Sequence, residues 1–250
     1  MKDLHNHLLY GIDDGSKNLE ESIEILSNLE SEGVTSIVVT PHYIIGSNYN
    51  SNNLEKEKLL KELQKRTNIK LYLGNEIYID NRIVDEIENG NISSINNSKY
   101  LLIELPLHEK MEHAKDILFR LRNKGFIPII AHPERYHYIS LEELTSYIEM
   151  GCLLQGNITS LNEKYGKNAR LNLELLLKKH MIYVIGTDTH SKNNSNIKLC
   201  LEQLKKIVND ENIYEDLVNN NFERIVNNEE VPRYEIKSQK KLFYKEKIKW

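Results

Sequence analysis

The segment Asp3-Leu4-His5-Asn6-His7, running on through Leu8-Leu9-Tyr10-Gly11-Ile12-Asp13-Asp14-Gly15, sets the reading of the whole chain. Its first five residues read as a strand, and side chains two apart in a strand point to the same face. His5 and His7 therefore aim two imidazoles at one point, and Gly11 and Gly15 mark a turn-rich loop after them. Neutral imidazole is the commonest metal ligand near neutral pH. Asp14, seven residues beyond His7, adds a hard oxygen donor. Two histidines at this spacing also occur in surface strands that bind nothing, so the ends of the other strands decide the matter.

Outward from that segment, strand-like and helix-like stretches alternate. Residues 18–32 carry Leu19, Ser22, Ile23, Leu26 and Leu29 at helical spacing, and Gly33 follows. The run 35–40 (TSIVVT) is β-branched and ends at Pro41-His42. Residues 43–53 are polar, rich in Asn and Ser, and read as a loop. Further short apolar runs are 69–73 (IKLYL), 100–103 (YLLI), 126–131 (FIPIIA), 152–155 (CLLQ) and 182–185 (IYVI), giving seven strands with the first. Helical patterns cover 54–66, 82–89, 111–124, 141–150, 169–180, 196–208 and 213–220. Strands apolar on both faces, each followed by a helix, imply an α/β fold with a parallel sheet wrapped by helices. An open doubly wound sheet would satisfy the alternation. A closed or nearly closed barrel fits better, because polar residues follow nearly every strand, and barrels build their sites at the C-terminal strand ends. No composition shift divides the chain. Residues 1–230 are expected to form one barrel domain. Residues 231–250 are expected to be a basic tail, not a separate domain, solvated or docked on a partner.

The strand ends collect His5, His7, Asp14, His42, Glu76, Glu104, His132, Asp188 and His190. Each has a bland reading as a cap or a solvated charge. Gathered on one face they would enclose buried negative charge that needs cations. Imidazole and carboxylate without thiolate suit Mn²⁺, Fe or Zn²⁺. The set is too large for one ion, so two or three bridged ions are expected, an arrangement suited to phosphoester hydrolysis. His108, His113, His137 and His180 are expected at the surface or in packing.

Composition excludes several classes. A net charge of −4 gives no reason to expect nucleic acid, and no apolar run approaches the length of a membrane span. The N-terminus lacks the apolar stretch of a secretory signal. Cys152 and Cys200 are too few for a disulfide framework, and a cytoplasmic location is the expectation. A cysteine phosphatase needs C-x₅-R, but Ile158 and Lys206 stand six residues after the two cysteines. There is no P-loop, so the chain should not itself be a kinase.

The motifs DLHNHLLYGIDDGSKNLEESI, TSIVVTPHY, LYLGNEIYI, YLLIELP, IIAHPERY, MGCLLQGN and VIGTDTHS occur in this order from residue 3 to about 227. In them the chain resembles the PHP (polymerase and histidinol phosphatase) superfamily. Within it, the chain is similar to the bacterial manganese-dependent protein-tyrosine phosphatases of capsule and exopolysaccharide gene clusters, the CpsB/YwqE type. HNH replaces the commoner HSH or HCH, and GTDTHS replaces SDAH. Residues 43–53 and the tail have no usable match. The resemblance implies a distorted (β/α)₇ barrel with a trinuclear site. His5, His7 and Asp188 would hold one ion, Glu76 would bridge it to a second held by Glu104 and His132, and Asp14, His42 and His190 would hold the third. Manganese is the metal implied. Arg135, in the family's HxER pattern, would contact the phosphoryl group, as guanidinium matches phosphate geometry. A salt bridge to Glu134 or Glu142 is its plainer reading. Arg135, His42 and Asp188 are the residues expected to carry catalysis. The implied substrate is a phosphotyrosine protein, in particular a membrane-associated bacterial tyrosine autokinase reached without membrane insertion. Histidinol phosphate or another small monoester is an alternative substrate. A non-catalytic regulatory subunit that binds such a kinase is an alternative of another class.

Overall fold

The short apolar runs do form parallel strands. The computed structural model describes residues 1–192 and 196–237. Its strands are β1 (Lys2–Asn6), β2 (Ser36–Val39), β3 (His42–Tyr43), β4 (Lys70–Leu73), β5 (Glu76–Tyr78), β6 (Tyr100–Glu104), β7 (Ile127–Ala131), β8 (Leu153–Asn157) and β9 (Val184–Gly186). They pair in the orders β1-β2-β4 and β3-β5-β6-β7-β8-β9, parallel throughout.

Two of the staves expected from the sequence are each broken once. Thr40-Pro41 separates β2 from β3, because Pro41 has no N–H to give the ladder. Gly74-Asn75 separates β4 from β5. Asn75 ties the two breaks together: its Nδ2 donates to the Pro41 carbonyl (2.9 Å), and its Oδ1 accepts from Ser93 N (2.9 Å) and Lys56 Nζ (2.6 Å). The curl closes where the last strand meets the first, through Asp188 N to His5 O (2.9 Å) and His7 N to Thr189 O (3.1 Å). The result is a distorted seven-stave barrel with the strand ends of interest on one rim.

The helices are α1 (Leu19–Ser31), α2 (Asn53–Gln64), α3 (Ile83–Glu88), α4 (Ala114–Asn123), α5 (Leu141–Met150), α6 (Gly166–Lys178), α7 (Ile197–Val208), α8 (Glu211–Glu215) and α9 (Asn221–Val226). Asn18, Asn52 and Ser140 cap α1, α2 and α5 through bonds to Glu21, Glu55 and Glu143 N–H groups. Each main helix buries one stripe; α4 turns in Ala114, Ile117, Leu118 and Leu121. A fully buried leucine there contributes about 1.5–3 kcal/mol.

Several boundaries shift by one to three residues from the sequence reading, and two of the differences have a clear physical reason. Helix α6 starts at Gly166 and not at residue 169, because the turn before it folds inward to the site. The last helical stretch runs past residue 220 to Val226 through a wider turn at Asp216–Asn220. The Asn-rich run 219–221 looks like a stop, but burial of Phe222, Ile225 and Val226 overrides that weak propensity.

Residues 231–237 lie against the end of the barrel where the strands begin. Val231 is buried, and Arg233 donates to the carbonyls of Gly151 and Cys152 (2.7 Å each). Tyr234 stacks on Tyr183 at 5.4 Å and donates to Asp216 (2.9 Å). The remainder of the tail expected from the sequence, 238–250, lies outside the described residues.

Candidate metal centre

The rim of the barrel brings all nine candidate ligands together. His5 sits on β1 with His7 just past it, His42 opens β3, Glu76 opens β5, and Glu104 closes β6. His132 follows β7 and Asp188 follows β9, both in the left-handed region (φ 33° and 51°). Such backbone costs about 1–3 kcal/mol per residue and persists only where its surroundings impose it. Two glycines allow the close approach of the first strand. A Cβ on Gly186 would lie 2.6 Å from His5 Cβ, and one on Gly15 would lie 2.2 Å from His7 O.

Glu76 is the hub. Its Oε2 lies 3.1 Å from His5 Nε2, 3.2 Å from His7 Nε2 and 3.1 Å from His42 Nδ1, and its Oε1 lies 2.9 Å from His132 Nε2. Glu104 stands 3.7 Å from His132 Nε2 and 3.9 Å from His42 Nδ1. Asp188 Oδ1 is 3.6 Å from both His5 and His7 Nε2 and 3.3 Å from His190 Nδ1. Asp14 reaches His190 (3.4 Å) and His42 (3.5 Å). Donor atoms converge in three overlapping groups: His7, Asp14, His42 and His190; His5, His7 and Glu76; and His42, Glu76 and Glu104.

The orientation of the first two histidines indicates what belongs between them. His5 Nδ1 faces Gln155 Oε1 (3.0 Å), and His7 Nδ1 faces Asp13 Oδ2 (2.8 Å). Both partners are acceptors, so each Nδ1 carries a proton, and in the neutral imidazole each Nε2 presents a lone pair. Those two Nε2 atoms are 3.1 Å apart, with the Glu76 carboxylate against both. Lone pairs and a carboxylate at one buried point repel one another unless a cation lies among them. The donor set therefore fits divalent metal.

Without metal, protons on the imidazoles supply the positive charge that this point demands. Burial pushes the Glu76 carboxyl up, but the charges of His5 and His42 and the His132 hydrogen bond outweigh it and hold it well below the carboxylate range. Burial and the neighbouring Glu76 charge push Glu104 up to about 9, so of this pair Glu76 keeps the charge. Burial drives His132 down to about 4 against its bond to Glu76. For His7, burial is outweighed by the hydrogen bonds to Asp13 and Glu76, which raise it well above its ordinary value. The His190 hydrogen bond brings Asp14 down to about 2.

Arg135 borders this cluster. It pairs with Asp188 Oδ2 (2.9 Å), not with Glu134 or Glu142, and its guanidinium lies over the Tyr165 ring at 4.2 Å. Glu134 is instead held by Asn157 N (3.0 Å) and Ser160 Oγ (2.8 Å). A cleft of about 530 Å³ opens beside the cluster, lined by Asp14, Arg135, Lys164, Tyr165, Asp188 and His190 among others.

Sequence reasoning missed the residues that orient the ligands: Asp13, Gln155, Asn157, Lys164 and Tyr165. Asp13 was adjacent to a named ligand. Gln155 and Asn157 stand two apart on β8, the same alternation that singled out His5 and His7. Lys164 and Tyr165 gave no sequence signal. Cys152 and Cys200 are both buried, as expected of core residues. His108 stacks on His137 at 6.2 Å, and His113 is exposed.

A distorted parallel barrel with an imidazole–carboxylate cluster at its C-terminal strand ends defines the class: an α/β barrel with a candidate metal centre. The chain belongs to the CpsB/CapC family of capsular polysaccharide synthesis, which it matches over residues 1–227. It is 39% identical over 228 residues to CapC of Staphylococcus aureus, covering 87% of each chain. It is 30% identical over 203 residues to the tyrosine-protein phosphatase YwqE of Bacillus subtilis, covering 78% of this chain and 80% of YwqE. Among solved structures it superposes with a TM-score of 0.85 and 27% identity on one from a study of YwqE and of CpsB from Streptococcus pneumoniae, described as unique metal-dependent tyrosine phosphatases. That match covers 96% of this chain and 100% of the other. No helix among the described residues is long and apolar enough to cross a membrane.

Proposed function

We propose that the chain is a metal-dependent protein-tyrosine phosphatase whose nine rim residues, His5, His7, Asp14, His42, Glu76, Glu104, His132, Asp188 and His190, hold two or three divalent ions. The observation that carries this reading is the pair of Nε2 atoms facing each other across Glu76. Membership of the family and the likeness to YwqE support the substrate class. When bound, such ions supply a water acidified toward neutral pKa and positive charge for the phosphoryl oxygens. Mn²⁺ is the ion proposed, with Fe or Zn²⁺ as alternatives.

The chain's own groups do the rest. Asp13 and Gln155 fix the His5 and His7 tautomers, so both Nε2 atoms stay available. Arg135 commits one N–H to Asp188 and lines the cleft with the rest of its guanidinium, whose N–H groups can meet phosphoryl oxygens there. A tyrosine leaving group has a pKa of about 10, so its departure needs less help from an acid than an alkyl alcohol's does. This explains how the site could favour aryl phosphates. The proposed physiological substrate is a membrane-associated tyrosine autokinase of capsule or exopolysaccharide assembly, met in the cytoplasm.

The test is phosphate release from a phosphotyrosine peptide and from histidinol phosphate, with Mn²⁺ added and then chelated, beside His42→Ala. Metal-dependent release from the peptide alone, lost in the variant, is expected. Preference for histidinol phosphate would keep the site and overturn the substrate. Tight kinase binding by metal-loaded protein that hydrolyses neither would favour a regulatory subunit.

A further inference from the structure

Three donors converge on one oxygen of Asp188. Arg135 Nη1 (2.9 Å), Asn157 Nδ2 (2.8 Å) and the Tyr165 hydroxyl (2.8 Å) all point at Oδ2. The other oxygen, Oδ1, is left to face His5, His7 and His190. Asp188 is thus divided into a held oxygen and a ligand oxygen. Asn157 reaches it from the rigid end of β8 and itself accepts from Gln155 (2.9 Å). Arg135 is different. It is a long side chain with several rotatable bonds, and an ordered guanidinium must be held against that freedom.

Tyr165 touches both partners. Its ring carries the Arg135 guanidinium at 4.2 Å while its hydroxyl bonds Asp188. Its neighbour Lys164 donates to the Asp188 carbonyl (2.9 Å) and stands 5.0 Å from the same ring. The local backbone is bent to make this possible. Glu163 (φ 60°) and Gly166 (φ 89°) both take left-handed conformations on either side of the pair, turning Lys164 and Tyr165 toward the rim. Helix α6 then begins without a side-chain cap, so the turn is shaped for the site and not for the helix. Tyr165 also stands in the wall between the 530 Å³ cleft and a second hollow of about 380 Å³ on its far side, and both are lined by Arg135. Without the Tyr165 ring, the guanidinium would have room to swing away from the cleft.

We propose that Tyr165 is a positioning residue for phosphoryl recognition. Its ring fixes the Arg135 guanidinium and its hydroxyl fixes Asp188, so that the guanidinium edge and the ligand oxygen Oδ1 keep a constant separation across the cleft. The proposal rests on the reading of Arg135 as the phosphoryl contact. A ring that merely filled space would affect stability and leave substrate affinity alone; a positioning ring affects affinity through Arg135.

The test uses Tyr165→Leu and Tyr165→Phe in the Mn²⁺-loaded full chain, each in the wild-type and Arg135→Ala backgrounds. The readouts are kcat and KM on a phosphotyrosine peptide, the dissociation constant of inorganic phosphate by calorimetry, and the melting temperature. Tyr165→Leu should raise KM and the phosphate dissociation constant at least about tenfold, since a cation–π contact and a charged hydrogen bond are lost together, with kcat changed less than about threefold. Tyr165→Phe should fall between, since it keeps the ring. In the Arg135→Ala background Tyr165→Leu should cost no more than Tyr165→Phe does there, because only the hydroxyl's hold on Asp188 is left to lose. Equal effects in both backgrounds, or a fall in kcat with KM and phosphate binding unchanged, would overturn the proposal. If Tyr165→Leu fails to fold, Tyr165→Met, which keeps more volume without a ring, carries the same cycle. If the wild type releases no phosphate from phosphotyrosine, the function reading fails by itself, and the phosphate-binding cycle still decides the role of Tyr165.

Discussion

Replacing Asp13 by alanine would remove a carboxylate that is not a proposed ligand yet orients two of them. Asp13 accepts from His7 Nδ1 (2.8 Å) and from the backbone N–H groups of His42 (3.0 Å) and Gly15 (2.9 Å). Alanine leaves three donors without an acceptor in a mostly buried place. Each uncompensated buried donor costs about 1–3 kcal/mol, and water entering the gap recovers part, so a net loss of about 2–4 kcal/mol is expected in the chelated protein. The larger consequence concerns metal. Without its acceptor, His7 is free to move the proton to Nε2 or rotate, and the lone pair facing Glu76 is lost. Orienting partners of this kind are worth about 10- to 100-fold in metal affinity or activity. Asp13→Asn keeps one acceptor oxygen for His7 and His42 but sets its amide N–H groups against Gly15 N, so its effect on Mn²⁺ affinity should be under about tenfold while part of the stability loss remains. Calorimetric titration with Mn²⁺ reads the affinity, and urea unfolding of the chelated protein reads the stability. Mn²⁺ affinity within about threefold of wild type in Asp13→Ala would refute the tautomer argument.

Other perturbations follow from the same geometry. Burial brings Lys56 Nζ, bonded to Asn75, down to about 7. The unfolded chain therefore holds the extra proton between about pH 7 and 10.5, and this lysine makes stability rise with pH across that window, by roughly 4–5 kcal/mol at most. Lys56→Met should be more stable than wild type at pH 6.5, and the gap should shrink by pH 9.5 in urea unfolding of chelated protein. A pH-independent gap would contradict the burial argument. Gly186→Ala would press a methyl within 2.6 Å of His5 Cβ, so a loss of about 1–3 kcal/mol in thermal unfolding and weaker Mn²⁺ binding are expected. Burial pushes both thiols up to about 12, so the double variant Cys152→Ala, Cys200→Ala should keep its phosphatase turnover and wild type should resist iodoacetamide. Activity lost with either cysteine would point to thiol chemistry.

The alternation of strand and helix was legible because buried parallel strands are apolar on both faces and each ends in polar residues. His5 and His7 could be paired from spacing alone, since strand geometry fixes their common face. The breaks at Pro41 and Gly74 were visible as punctuation, but not that pairing resumes beyond them; that depends on Asn75 bridging the two, a contact between residues 34 positions apart. The inward turn at Glu163–Gly166 was illegible for a similar reason. Its left-handed glutamate is paid for by contacts with Asp188, which lies on another strand end. Helix α9 was hidden by three asparagines whose poor propensity is overruled by the burial of Phe222. Orienting residues such as Gln155 are ordinary amides in sequence and acquire meaning only from the His5 nitrogen they face.

The central claim is that this rim is a multinuclear metal centre that hydrolyses phosphotyrosine. Its most direct test is the number of metal ions per chain, counted by plasma mass spectrometry in the same samples assayed for phosphate release, as chelator removes metal and Mn²⁺ restores it. Two or three ions per chain are expected in active protein, with phosphotyrosine turnover falling and returning in step with them. Full turnover in protein holding fewer than one ion per chain would contradict it.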